Sequence, residues 1–240
     1  MLLPLHDLNP TARPALVTGG IIAACFAVFL WQLQVGLDVS VIVGGMVPDV
    51  LAGMNGYDLM RILPDVWGKV DPSENWGWFT VLSHMFMHGG WMHIIFNMYF
   101  LWLFGDNVED ALGRGRYLLF YLLCGLSAAI MYAIIDGGAV PMVGASGAIS
   151  GVMGAYVARF PHAQVRTLLL MGIFTRIILL PAWLLIAFWF GRDVLSWLLI
   201  QQAGGGGGGV AHMAHIGGFA AGWILMKSNV LQSRHAGPWG

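Results

Sequence analysis

Ser146 stands in Gly144-Ala145-Ser146-Gly147, and His215 stands in the segment AHMAHIGGFAAG that begins at Ala211. A serine hydroxyl is a weak nucleophile until an adjacent base takes its proton, and a neutral imidazole does that work near pH 7. Attack on an amide then creates an oxyanion, which must be met by donors already aimed at it. Those donors are available: a serine that opens a helix has free backbone N–H groups around it, and Gly144 and Gly147 let the backbone approach a substrate closely. His93 and Asn97 are four residues apart, share one helix face and add side-chain donors. His84 and His88 precede them in SHMFMHGGWMHIIFN and are read as lining a wet cavity or as satisfied structural histidines. His212 is read as a helix-end residue. Acidic residues are expected away from this group, Asp106, Glu109 and Asp110 closing the second apolar helix and Asp136 and Asp193 at loop or helix-end positions. The chemistry therefore reads as a Ser146–His215 dyad without a third member.

The elements that must hold these groups are apolar. The 240 residues are 58% hydrophobic and 10% charged, and the mean hydropathy is +0.74, whereas a soluble domain carries about 25% charged residues. Six apolar segments are read as helices, about 15–35, 78–104, 116–135, 146–160, 177–200 and 210–228. The fourth and sixth are short and rich in small residues, which predicts helices buried inside a bundle rather than facing lipid. Gly147 with Gly151, and Gly218 with Gly222, form two small-residue faces suited to mutual packing. Ser146 and His215 each lie about a turn before one of them, so packing of the faces would bring hydroxyl to imidazole. The Gly89-Gly90 pair predicts a break or cap between His88 and His93.

The expected organisation is all-α and polytopic: a cytoplasmic segment 1–14, a six-helix membrane domain 15–228 with a first outer loop at about 36–77, and a cytoplasmic tail 229–240. Lys and Arg fall mostly on the side of the two termini, which predicts both in the cytoplasm. No removable signal peptide is read at the N-terminus. Cys25 and Cys124 sit in apolar runs and imply neither a disulfide framework nor a metal site. Nothing in the charge pattern points to nucleic acid. Six glycines, 204–209, precede the His215 helix and are read as a mobile lid.

HGGWMHIIFN, FGDNVEDALG, GASGAISG and AHIGGFAAG, in this order and spacing from about Phe79 to Lys227, resemble the rhomboid intramembrane serine proteases. The resemblance implies a six-helix bundle in which Ser146 attacks and His215 is its base. It also implies an oxyanion hole made by His93, Asn97 and the Ser146 backbone N–H. Substrates would be single-pass membrane proteins cut in or near the bilayer, without metal or cofactor, and the expected location is a bacterial-type inner (plasma) membrane. Two positions depart from the pattern: Phe79-Thr80 stand where many relatives carry Trp-Arg, and Ser150 stands where some carry an aromatic residue. Two other readings remain, a non-catalytic rhomboid-like protein that binds membrane helices and a membrane protein whose histidines ligate haem or a metal. Oligomeric state is not encoded in any of these features.

Overall fold

The computed structural model describes residues 2–54, 61, 74–171, 174–202, 211–228 and 230–231. In chain order these form strand β1 (Leu2–Asp7) and helices α1 (Leu16–Val35), α2 (Leu37–Gly44) and α3 (Pro48–Leu51). Next comes a short helical stack, the 3-10 turn Gly77–Phe79, helix α4 (Thr80–Ser83) and the 3-10 turn His84–Phe86. Helices α5 (Trp91–Leu112), α6 (Arg114–Met131) and α7 (Ser146–Arg159) follow, then strands β2 (Gln164–Met171) and β3 (Phe174–Pro181), and finally α8 (Ala182–Gln202) and α9 (His212–Lys227). The glycines at 204–209 lie outside the described residues.

Among the described residues three helices are long and apolar enough to cross a membrane: α1, α6 with the π turn that extends it to Asp136, and α8. Helices α7 and α9, at 14 and 16 residues, reach only about 21 and 24 Å at 1.5 Å per residue, less than the hydrocarbon core of a bilayer. α7 sits inside the molecule, as expected, whereas α9 buries one side and leaves Ala220, Trp223, Ile224 and Lys227 exposed on the other. Gly147, Ala148, Ile149, Gly151, Val152, Gly154, Ala155, Tyr156 and Ala158 of α7 are all buried, so this helix meets protein on nearly every side. Its contact with α9 is backbone against backbone. A β-carbon at Gly218 would lie 1.9 Å from the Gly147 carbonyl oxygen, and one at Gly222 would lie 1.9 Å from that of Gly151. Only glycine allows this approach, as the paired small-residue faces required.

Two expectations are corrected. The chain is mostly helical but not all-α, because β1, β2 and β3 form an antiparallel sheet in that order. Residues 177–181, read as the start of the fifth apolar helix, belong to β3, where Ile177 and Ile178 suit a strand. Pro181 cannot sit inside a helix, and α8 begins just after it. Pro4 is accommodated because β1 is an edge strand, with a register irregularity between Pro4 and His6.

The second apolar segment is also not one helix from 78 to 104. It breaks at Gly89-Gly90, as the sequence implied, so His84 and His88 lie in the preceding stack and loop rather than on α5. Beyond residue 104 the helix runs on to Leu112. The acidic residues do not end it; Gly113, at φ 78, does, its N–H bonding the Glu109 carbonyl at 2.7 Å. Glu109 instead caps the neighbouring helix, its carboxylate accepting the Val17 N–H at 3.0 Å, the Thr18 N–H at 2.8 Å and the Thr18 hydroxyl at 2.8 Å. Asp110 accepts the Ala12 N–H at 2.9 Å. These acids tie α1 and the segment before it to α5 at the end of the bundle remote from Ser146.

The described part of the first loop is anchored without a Trp-Arg pair. Met46 and Met142 exchange backbone hydrogen bonds of 2.9 and 2.8 Å, which pins the loop to the strand-like segment leading into α7. The Ser83 hydroxyl donates to the Gly44 carbonyl at 2.7 Å, and the Asn75 amide donates to the Ile42 carbonyl at 2.7 Å. Trp76 stacks on Trp31 of α1 with ring centroids 5.8 Å apart.

Candidate active site

Ser146 is the first residue of α7, so its own N–H and those that follow it in the first turn have no acceptor within the helix. The turn before it depends on Gly144. This residue has φ 128, and a β-carbon there would lie 2.8 Å from His93 Nε2 and 3.5 Å from Ser146 Oγ. Its N–H is fixed by the His84 carbonyl at 2.8 Å. Gly147 faces the other way, against α6 and α9: a β-carbon there would fall 2.5 Å from that of Ala128.

His215 lies one turn into α9, and the glycine contacts of α9 with α7 carry it to the serine. Ser146 Oγ and His215 Nε2 are 2.8 Å apart. The two residues are 69 positions apart in sequence and meet because the two small-residue faces meet.

His93 and Asn97 project from α5 into the same cavity. His93 Nδ1 accepts the Gly89 N–H at 3.2 Å, leaving Nε2 turned toward Gly144. Asn97 lines the cavity and is buried, and its amide nitrogen has no hydrogen-bond partner. His84 also lines the cavity, while His88 stands behind it, edge-on to His93 with ring centroids 5.2 Å apart. Gln32 of α1, not singled out by the sequence, accepts the His88 N–H at 2.9 Å and bonds Ser40 at 3.1 Å.

Asp193 differs from its sequence expectation. It lies in the middle of α8, not at an end, and its carboxylate bridges two imidazoles: Oδ2 is 2.9 Å from His215 Nδ1, and Oδ1 is 2.8 Å from His212 Nδ1. The expectation that no acid accompanies the pair therefore does not hold. The sequence offered one weak signal, an aspartate in an apolar segment, where charge is costly and marks a polar site. Asp193, His212 and His215 are the three described residues whose ligand atoms lie close enough to share a metal ion, all within 4.8 Å. Each ring nitrogen is already matched to its own carboxylate oxygen, so the cluster is satisfied as hydrogen bonds.

The cavity holds about 1020 Å³. Trp91, Phe96, Phe100, Met153, Trp189, Phe190 and Phe219 give it much of its apolar wall, and Ser146, His215, His93, Asn97, His84, Ser150, Arg192 and Asp193 contribute polar groups.

The sequence matches the Rhomboid domain over residues 75–229. The chain belongs to the rhomboid family. It is 30% identical over 176 residues to RHOMBOID-like protein 4 of Arabidopsis thaliana, covering 73% of this chain and 37% of that protein. It is 32% identical over 185 residues to Rhomboid-like protease 5 of Toxoplasma gondii, covering 72% of this chain and 19% of the relative. Over 83 residues it is 41% identical to Rhomboid protease GluP of Bacillus subtilis, covering 34% of this chain and 16% of that protein. The chain thus spans well under two thirds of the length of these relatives. Family membership and three apolar helices of spanning length make this rhomboid an integral membrane protein.

Proposed function

We propose that this protein is an intramembrane serine endopeptidase that hydrolyses peptide bonds in or near the transmembrane segments of single-pass membrane proteins. The observation that carries the reading is the 2.8 Å approach of Ser146 Oγ to His215 Nε2 at the wall of a large apolar cavity. In the acylation step His215 Nε2 takes the Ser146 proton as Oγ bonds to the scissile carbonyl carbon, and the carbonyl electron pair moves onto oxygen. Collapse of that intermediate breaks the C–N bond, and the amine leaves with the proton held on Nε2. Water then repeats the sequence on the acyl-enzyme. The oxyanion is met by the Ser146 N–H, the Asn97 amide and His93, whose position beside Gly144 suits that task. Gly144 and Gly147 serve by their size, the first making room for His93 and the second for α6 and α9.

His84 is assigned to the wall that admits the hydrolytic water, and His88 to its support. No metal or cofactor enters any step. The bundle is read as six membrane helices with both termini cytoplasmic in an inner (plasma) membrane of bacterial type, the site opening toward the opposite face. The partners are the substrate helix and the lipid bilayer, with no role for nucleic acid.

The test is labelling with a serine-directed fluorophosphonate in detergent. Wild type is expected to be labelled at Ser146, and His215→Ala to lose at least about a hundredfold in labelling rate. An unlabelled wild type would favour a non-catalytic protein that binds membrane helices.

A further inference from the structure

We infer that Asp193 is a positioning residue for His215, and that α8 thereby completes the site rather than merely walling it. The inference rests on the protease reading above. An ionised carboxylate has no proton to give, so a ring nitrogen facing it must carry one. With Asp193 Oδ2 2.9 Å from His215 Nδ1, the neutral ring holds its proton on Nδ1 and turns the bare Nε2 toward the Ser146 hydroxyl at 2.8 Å. That is the tautomer a general base needs. When Nε2 takes the serine proton, the same carboxylate faces the cation that forms. His212 holds the other oxygen at 2.8 Å and so fixes the carboxylate plane.

The placement on α8 gives this contact a second consequence. The buried residues of α8 are Ala182, Leu185 and Ile186, all within its first turns. Further along, the helix meets the bundle through rings, Trp189 against Phe100 at 5.5 Å and Phe190 against Phe219 at 4.3 Å, and then through Asp193. Beyond it, Leu195, Leu198 and Leu199 are exposed. Asp193 is thus the polar tie between the loosely seated half of α8 and α9. Displacing that half removes the group that orients His215, so the base is set only while α8 is seated.

The test reads substrate cleavage, labelling of Ser146 and the ring nitrogens of His215. Asp193→Asn is close in shape, but its amide can donate to Nδ1 and favours the proton on Nε2, facing the serine. It is expected to lower kcat by roughly a hundredfold or more with little change in KM. His212→Ala, which leaves the contact to His215 in place, is expected to lose less than about tenfold. Adding Asp193→Ala to His215→Ala should cause no further loss in labelling rate, since Asp193 acts through His215. Nitrogen-15 NMR of histidine-labelled Ser146→Ala protein, in which Asp193 is intact, should show His215 protonated at Nδ1; protonation at Nε2 alone would overturn the inference without any Asp193 variant having to fold. A wild-type rate in Asp193→Asn beside an inactive Ser146→Ala would overturn the role of Asp193 while the protease reading stands. Cleavage persisting in Ser146→Ala would instead remove the protease reading and the positioning role with it.

Discussion

The Asn97 amide nitrogen is a buried donor without a partner, on a residue that lines the cavity together with Ser146, His93 and His215, and polar groups within membrane helices mark function. If that donor meets the oxyanion, Asn97→Ala lowers kcat on the order of a hundredfold and leaves KM nearly unchanged; a loss confined to KM would make Asn97 a substrate contact. Gly144→Ala is expected to be at least as damaging, because the added carbon both falls 2.8 Å from His93 Nε2 and sits at φ 128. Labelling of Ser146 at a normal rate in that variant would contradict the assigned geometry. Ser146, His215, His93 and Asn97 were legible in the sequence because each stands in a short local pattern of small or helix-spaced residues. Asp193 gave only the weak signal of a charge in an apolar segment, and Gln32 gave none. Their contacts, to His215 22 positions away and to His88 56 positions away, depend on how whole helices are rotated and seated, which local spacing does not encode.

The decisive element is the α7–α9 pair, where carbonyl oxygens of one helix occupy the space a side chain would need on the other. Gly222→Ala puts a carbon 1.9 Å from the Gly151 oxygen and forces the helices apart. Overpacking of this kind costs about 1–3 kcal/mol. It should appear as a lower melting temperature in detergent together with slower labelling of Ser146, because the same contact sets the serine–histidine distance. A variant with unchanged stability and labelling would show that the helices are not held by this face. The pairing was readable from small residues at four-residue spacing. The sheet was not, because Val165–Met171 and Phe174–Leu180 are as apolar as the helices around them. In such a chain hydrophobicity alone does not separate strand from span.

At the scale of the molecule, α7 links two ends, with Ser146 at one and Tyr156, about 15 Å along the axis, at the other. There the Tyr156 hydroxyl donates to Asp7 at 2.7 Å and the Asn107 amide to the same oxygen at 2.8 Å, docking β1 onto α5 and α7. Burial pushes the Asp7 carboxyl up to about 6; the Tyr156 hydrogen bond opposes the rise and the charge of Asp106 adds to it. Between the ordinary aspartate value near 4 and about 6, the folded chain holds a proton that the unfolded chain releases. The associated stability is full below about pH 4 and is lost as pH rises through 6. Asp7→Asn, which keeps the neutral shape, should melt with wild type near pH 4 and above it past pH 6.5; a difference independent of pH would refute the account. The central claim, that Ser146 is a nucleophile, is tested most directly by cleavage of a single-pass substrate in liposomes by wild type and Ser146→Ala at equal protein concentration. Wild type is expected to release two fragments and Ser146→Ala none; turnover by Ser146→Ala at a comparable rate would contradict the claim.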